Sequence, residues 1–127
     1  NVKRPYLKSW NDRRREVANQ YNEAFKGVSQ ISTPVETGDS EHVYHLYCIM
    51  AEDRDGLAKH LESQGIGTGV YYAIPLHLQE ALKDLGHQIG DFPVSEKLSQ
   101  KALALPMYPD ITDEEVELVV ASVKSYY

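Results

Sequence analysis

One segment of this chain, residues 67–79, combines side chains that bind ligands with a backbone suited to a turn. The hydroxyls of Tyr71 and Tyr72 and the imidazole of His77 can each donate and accept hydrogen bonds. Pro75 restricts the backbone between them, and segments that connect two helices commonly carry binding sites. We therefore expect Tyr71, Tyr72 and His77 to contact a ligand, with a packed aromatic turn as the alternative interpretation.

The other residues with reactive side chains favour structural or solvated roles. Cys48 lies among apolar residues, whereas a catalytic thiol needs an electropositive and accessible setting, so we expect an inert core cysteine. His42 and His45 are three residues apart around the start of an extended segment, where their side chains should not converge on a metal ion. His60 and His87 are expected to be solvated.

No catalytic motif completes these candidates. Neither the CxxC nor the HExxH spacing of a metal site occurs. Gly67 and Gly69 lack the third glycine and the following helix of a nucleotide-binding loop. No serine sits in a Gly-x-Ser-x-Gly turn. The residues alone therefore indicate one candidate binding turn and no self-sufficient catalytic constellation.

Composition excludes several classes of protein. With 127 residues, 42% of them hydrophobic, the chain is long enough for one domain with a substantial core. A single cysteine excludes an internal disulfide and fits a reducing cytoplasm. No apolar run approaches the ~20 residues of a membrane span, and we expect no signal peptide because the chain opens with polar and basic residues. The net charge of −6 argues against nucleic acid as a partner.

Hydrophobic periodicity predicts the elements that precede the turn. Residues 1–28 should form a leading helix, because apolar residues recur there at three- and four-residue spacing. The basic residues 13–15 are expected on a solvated face of that helix or at an interdomain contact. Residues 43–50 are rich in aromatic and β-branched residues and apolar on both faces, which predicts a central strand. Tyr44 and Tyr47 would pack within that sheet.

The next helix is bracketed by its capping residues. Asp53 and Asp55 place negative charge where it begins, Leu57 and Leu61 share its buried face, and Gly65 ends it. An extended piece over residues 66–72 then leads into the candidate turn.

Three further elements are expected after the turn. The spacing of Leu78, Ala81, Leu82 and Leu85 predicts a helix with one apolar face that ends at Gly86. Another helix should begin at Pro93, followed by a short strand over residues 102–105.

A capping box from Thr112 to Glu115 marks the start of the last helix, whose apolar face contains several valines. A few short strands between about five helices are typical of an α+β or α/β layered domain, with its core in residues 42–127.

The same residues resemble a known family. The motifs at 42–47, 65–69, 75–79, 90–93 and 105–109 are similar, in order and spacing, to the C-terminal part of DegT/StrS aminotransferases. These are pyridoxal-phosphate-dependent enzymes that act on nucleotide sugars. The likeness extends over essentially the whole chain and includes these further positions: Trp10, Arg54, Asp55, Leu61 and the segments 14–21 and 112–114.

The resemblance implies the small C-terminal domain of the type I aminotransferase fold. In that fold a large domain carries the lysine that binds the cofactor, the acid that pairs with its pyridine nitrogen and most of the phosphate site. We therefore expect the large domain to be absent from this chain, which alone would be inactive and bind no cofactor covalently. The expected partners are the missing large domain of the same polypeptide and a nucleotide-sugar substrate, and the parent enzyme is expected to be a homodimer.

The family's reaction implies a role for the candidate turn. An amino donor, usually glutamate, would load an amino group on pyridoxal phosphate, which then passes it to a keto group of a nucleotide-linked deoxysugar. The small domain would close one side of the cleft, with Tyr71, Tyr72 and His77 contacting the sugar substrate.

The chain departs from the family pattern near these contacts. Family members often have His at the position of Tyr71 and Pro at that of Ala73, and Met50 replaces a typical Arg. A tyrosine can still donate a hydrogen bond, but it does not carry protons near neutral pH as histidine does. The alternative function is a free-standing, non-catalytic domain that binds a sugar nucleotide or a protein partner.

Overall fold

Four α-helices and three short strands form the domain in a computed structural model that describes residues 1–127. The helices are α1 (Leu7–Ala24), α2 (Arg54–Ser63), α3 (Pro93–Lys101) and α4 (Asp113–Tyr126). The strands are β1 (Ile31–Ser32), β2 (Tyr47–Ala51) and β3 (Ala102–Leu105). Three 3-10 helices complete the regular structure: Arg4–Tyr6, Leu76–Leu78 and Glu80–Leu85. None of the helices combines the length and the apolar character that crossing a membrane requires.

The strands form one antiparallel sheet in the order β1-β2-β3, so β2 is central. Tyr47 lies opposite Leu105 and Ile49 lies opposite Leu103, and all four side chains are buried. The two alternate residues of β2, Cys48 and Met50, are only half-buried. The sheet therefore packs one face into the main core, as the period of two along a strand dictates.

The main core joins this face of the sheet to α1, α2 and α4. The buried rings of Tyr21 and Tyr47 lie 4.9 Å apart, which couples α1 to β2. Each hydroxyl finds an acceptor: Tyr21 donates to the carbonyl of Pro106 at 3.0 Å and Tyr47 to the side chain of Asn22 at 2.6 Å. These bonds allow two polar groups to enter an apolar core without an unpaired donor.

The expected helix caps are present. The Asp53 carboxylate accepts from the Gly56 amide at the start of α2. Thr112 and Glu115 form the reciprocal capping box of α4, with hydrogen bonds of 3.2 and 2.9 Å. Gly65 follows α2 with φ +77°, a left-handed conformation that glycine adopts at little cost. The prediction of α2, α3, β3 and α4 from local sequence signals is therefore confirmed.

Four predicted elements differ from the structure, one of them the extended piece over residues 66–72 that leads into the candidate turn. The strand expected over residues 43–50 begins only at Tyr47, because Tyr44 has φ +45° and its amide donates to Nδ1 of His42, which turns the chain. Tyr44 and Tyr47 are nevertheless buried, as expected. The leading helix expected over residues 1–28 comprises Leu7–Ala24, with a 3-10 turn before it.

The helix expected around residues 78–85 is a 3-10 helix, Glu80–Leu85, without a buried face. Leu85 is 63% exposed. Apolar residues do recur at helical spacing in this segment, but no other element of the chain covers the side on which Leu85 lies. The count of about five helices is thus met by four α-helices and additional 3-10 turns.

Candidate functional site

The candidate turn is attached to the sheet at its start. The Gly69 amide donates to the Ala104 carbonyl at 3.0 Å, and the Ala104 amide donates to the Gly69 carbonyl at 2.7 Å. This single antiparallel bridge extends the sheet beyond β3, and it is all that remains of the extended piece expected over residues 66–72. The chain leaves the sheet at residue 69, and after Val70 it carries Tyr71 and Tyr72 to the surface.

Tyr71 and Tyr72 are the most accessible polar aromatics of the turn, with 49% and 73% of their surfaces exposed. Their rings meet edge to face, with centroids 5.8 Å apart. Neither hydroxyl has a hydrogen-bond partner within the chain. Of the other seven tyrosine hydroxyls, those of Tyr6, Tyr44 and Tyr127 also lack a partner, and four are bonded internally: those of Tyr21, Tyr47, Tyr108 and Tyr126.

A cleft of about 410 Å³ separates this turn from α3. One wall contains both tyrosines and Gln79, and the other contains Ser95 and Leu98 of α3. The remaining lining residues are Ile74, Pro75, Leu76 and Ser99. The cleft therefore offers ring faces and aliphatic surface together with hydroxyl and amide groups, which suits a ligand that is partly apolar and rich in hydroxyls.

His77 does not line this cleft. Only 8% of its surface is exposed, and its Nε2 atom lies 3.1 Å from Oε1 of Glu96 on α3. Its ring packs against Phe92 at a centroid distance of 4.8 Å. The structure thus brings Tyr71 and Tyr72 together and separates His77 from them.

Glu96 is the residue that sequence reasoning missed. Besides His77, its carboxylate accepts from the amides of Gly90, at 2.9 Å, and Phe92, at 3.3 Å. The Gly90 amide, then the Phe92 amide and His77, hold the pKa of Glu96 below its usual value despite the opposing effect of burial. The sequence did contain a signal for this role of Glu96. It is an acidic residue in the first turn of a helix, and that helix follows a glycine-containing loop.

Two other predicted site features require correction. His60, expected to be solvated, is half-buried, and its Nε2 lies 3.1 Å from the Ser122 carbonyl and 3.2 Å from the Ser125 hydroxyl, because α2 packs on α4. His87, in contrast, is exposed, as expected. Cys48 lies within β2 as expected, but it is half-buried, and burial raises the pKa of its thiol.

The basic residues of α1 make contacts within the chain. Arg13 donates to the Ile111 carbonyl and to Asp113, both at 2.8 Å. Arg15 donates to Glu36 at 2.6 Å and to the carbonyl of His42 at 2.8 Å. These arginines anchor α1 to distant segments, so the expectation of a solvated face is wrong for them.

Comparisons with known proteins agree with the fold and with the resemblance in the motifs. The chain is 39% identical to a pleiotropic regulatory protein of Geobacillus stearothermophilus over 99% of its own length and 34% of that protein's. It is 38% identical to dTDP-3-amino-3,6-dideoxy-alpha-D-galactopyranose transaminase of Aneurinibacillus thermoaerophilus, over 98% of this chain and 34% of that protein. The chain thus spans about a third of the length of these relatives.

A solved structure is similar over the same extent. The crystal structure of DesV from S. venezuelae superposes with a TM-score of 0.95 at 31% identity, covering 98% of this chain and 34% of DesV. The small α+β domain expected from the sequence is confirmed by this similarity. The sequence profile of the DegT/DnrJ/EryC1/StrS aminotransferase family matches residues 2–124. The chain therefore belongs to the DegT/DnrJ/EryC1/StrS aminotransferase family.

Proposed function

We propose that this chain is the small C-terminal domain of a nucleotide-sugar aminotransferase. The complete enzyme would transfer an amino group from an amino acid, with glutamate as the preferred donor, to a keto group of a nucleotide-linked deoxysugar. Family membership and the Aneurinibacillus transaminase relative support this assignment. The missing large domain, a homodimeric parent and a cytoplasmic location are parts of the same proposal.

In this proposal the tyrosine pair contacts the nucleotide-sugar substrate. The single observation that carries it is the pair of unbonded hydroxyls of Tyr71 and Tyr72, exposed on a turn that is fixed to β3 at Gly69. A sugar offers hydroxyl groups to such donors and C–H surface to the ring faces. Because the backbone at the start of the turn is already held by the sheet, binding has less backbone to order, and this limits the entropic cost of the contact.

His77 has an indirect role in this proposal. It is buried against Glu96 and Phe92, so it supports the turn from outside the cleft. A contact between His77 and the substrate would require the turn to rearrange. The substrate-facing role therefore falls mainly on the two tyrosines.

The cofactor of the proposed reaction is pyridoxal phosphate, which supplies the electron sink for amino transfer when it is bound. The residues of this chain do not fit it. Every lysine lies at the surface, Lys101 being half-exposed, and none lines the cleft beside the tyrosines. The cofactor would therefore be held by the large domain, while this chain binds and orients the sugar.

The test uses the full-length polypeptide that carries this domain. Glutamate should change the visible absorbance of the bound cofactor, and a nucleotide-linked keto-deoxysugar should then restore it and yield an amino sugar detectable by mass spectrometry. An enzyme that shows no glutamate-dependent change and no amino sugar contradicts the proposal.

A second candidate function, a free-standing non-catalytic domain that binds a sugar nucleotide or a protein, is favoured by one observation. The Geobacillus relative is named as a pleiotropic regulatory protein, which favours the non-catalytic role, and this chain spans 34% of that protein. The intact mass of the gene product discriminates between the two. A mass near that of this 14.4 kDa chain supports the free-standing domain, whereas a mass about three times as large excludes it and leaves the glutamate-dependent absorbance change to identify the enzyme.

A further inference from the structure

The two walls of the cleft are joined by one hydrogen bond between side chains. The turn contributes His77 and α3 contributes Glu96, and the two atoms Nε2 and Oε1 lie 3.1 Å apart. Neither residue lines the cleft, but each is within two positions of residues that do. His77 lies between Leu76 and Gln79, and Glu96 follows Ser95. This bond, together with the packing of the His77 ring against Phe92 at the start of α3, therefore holds the two walls at their observed separation.

The chemistry of the two groups decides which of them donates the hydrogen bond. A carboxylate only accepts hydrogen bonds, so the Nε2 atom of His77 carries the proton that is shared. The same carboxylate oxygen of Glu96 also accepts from the amides of Gly90 and Phe92. Three donors from two segments thus converge on one group.

The pair is shielded from solvent, which strengthens the hydrogen bond between the two side chains. The side chains of His77 and Glu96 are only 7% and 13% exposed. A hydrogen bond between shielded groups is less screened than a surface ion pair, and loss of one partner leaves the other unsatisfied. By comparison, the ion pair between Lys83 and Glu80 on the neighbouring 3-10 helix has exposed fractions of 65% and 82%.

We propose that His77 and Glu96 are positioning residues that set the separation of the two walls, and with it the affinity of the cleft for the nucleotide sugar. We call this pair the His77–Glu96 latch. The inference rests on the proposed function, because the cleft must be the one that receives the sugar. The latch touches neither the substrate nor the cofactor, so it acts only through Tyr71, Tyr72 and the facing residues of α3.

The two half-reactions of the full-length enzyme separate this role from a general structural one. Loading of the amino group from glutamate does not involve the sugar, whereas the second half-reaction does. Glu96→Gln removes the negative charge and one of the two accepting oxygens, both of which accept from the Gly90 amide, and His77→Leu removes the shared proton. Each should raise the KM for the nucleotide sugar about tenfold, while the rate of the glutamate half-reaction changes little.

Conservative and matched variants complete the design. His77→Gln retains a side-chain N–H near the same position, so it should recover most of the lost affinity. The double variant His77→Leu/Glu96→Gln should be no worse than the more affected single variant, because both remove one interaction. Glu80→Gln makes the same chemical change at an exposed position and should leave both half-reactions unchanged.

The outcomes distinguish failure of the latch from failure of the proposed function. A raised KM in Tyr71→Phe together with an unchanged KM in Glu96→Gln and His77→Leu overturns the latch and leaves the proposed function standing. Equal losses in the two half-reactions also overturn the latch, since they indicate a structural role. An unchanged KM in every variant, including Tyr71→Phe, overturns both the latch and the proposed contact of the tyrosines with the sugar. Absence of an amino sugar from the unmodified enzyme overturns the proposed function itself.

Discussion

The ring of Tyr71 lies directly against Gly69. A methyl group added at Gly69 would come within 2.5 Å of Cε2 of that ring and 2.8 Å of its hydroxyl oxygen. No real side chain tolerates such a contact, so Gly69 is required for the observed position of Tyr71. The same glycine forms the bridge to Ala104. One residue therefore fixes both the start of the turn and the aromatic group that follows it.

Gly69→Ala should displace Tyr71 without unfolding the domain. The conflicting atoms are at the far end of a half-exposed side chain, which can rotate away while the backbone bridge to Ala104 remains. We expect the KM for the nucleotide sugar to rise about tenfold, corresponding to loss of one oriented hydrogen bond. Steady-state kinetics of the full-length enzyme measures this directly.

Gly67→Ala is the matched control for this change. It lies two residues away, and an added methyl group there has no neighbour within 4 Å. Its KM and thermal midpoint should remain close to those of the unmodified enzyme. An equal effect of both substitutions would show that flexibility of the segment, and not the position of Tyr71, governs binding.

Leu61 and Leu85 should respond very differently to truncation. Leu61 is fully buried on α2, whereas Leu85 is 63% exposed on the 3-10 helix. In the 127-residue chain, Leu61→Ala should lower the free energy of unfolding by about 2–5 kcal/mol, and Leu85→Ala by less than about 0.5 kcal/mol. Urea denaturation followed by circular dichroism measures both. Similar costs would contradict the exposed 3-10 helix.

Acid should weaken the contact between α1 and α4. Oδ1 of Asp113 accepts from Gln20 at 2.9 Å and from Arg13 at 2.8 Å, and these bonds, that of Gln20 first, hold the pKa of Asp113 below its usual value. A carboxyl group whose pKa is lower in the folded chain than in the unfolded chain stabilises the fold at pH values above its unfolded pKa, which is about 4 for aspartate. That contribution is lost as the pH falls through the folded value.

Thermal unfolding at a series of pH values tests this sign. Asp113→Asn should lower the midpoint at pH 7 and reduce its fall between about pH 5 and pH 3. Asp39→Asn, in an exposed turn, is the control and should leave the pH profile unchanged. A profile of Asp113→Asn that parallels the unmodified chain would contradict the role assigned to this carboxylate.

Local signals allowed much of the fold to be predicted from the sequence. The capping box at Thr112 and Glu115 involves atoms only a few residues apart, so the pattern of residue types is sufficient to identify it. The prediction of a strand at residues 43–46 is wrong for the converse reason. Aromatic and β-branched residues there favour a strand, but the left-handed conformation of Tyr44 and its contact with His42 end the pairing.

The candidate site was only partly predictable because its geometry depends on distant partners. Tyr71 and Tyr72 could be chosen by residue type and by their place in a turn, and they do share a cleft. The direction of His77 is set by Glu96, nineteen residues later, and no spacing rule connects the two. The contact of Arg13 with Asp113 is likewise a product of tertiary packing.

The proposed contact between the tyrosine pair and the sugar is tested most directly by the effect of Tyr71→Phe and Tyr72→Phe on the two half-reactions of the full-length enzyme. The substitutions keep the rings and remove the two hydroxyls that have no partner within the chain. If the two hydroxyls contact the sugar, the KM for the nucleotide sugar should be about 3–10-fold higher in each variant, and the glutamate half-reaction should be unchanged. Unchanged kinetics with the nucleotide sugar in both variants would contradict this contact.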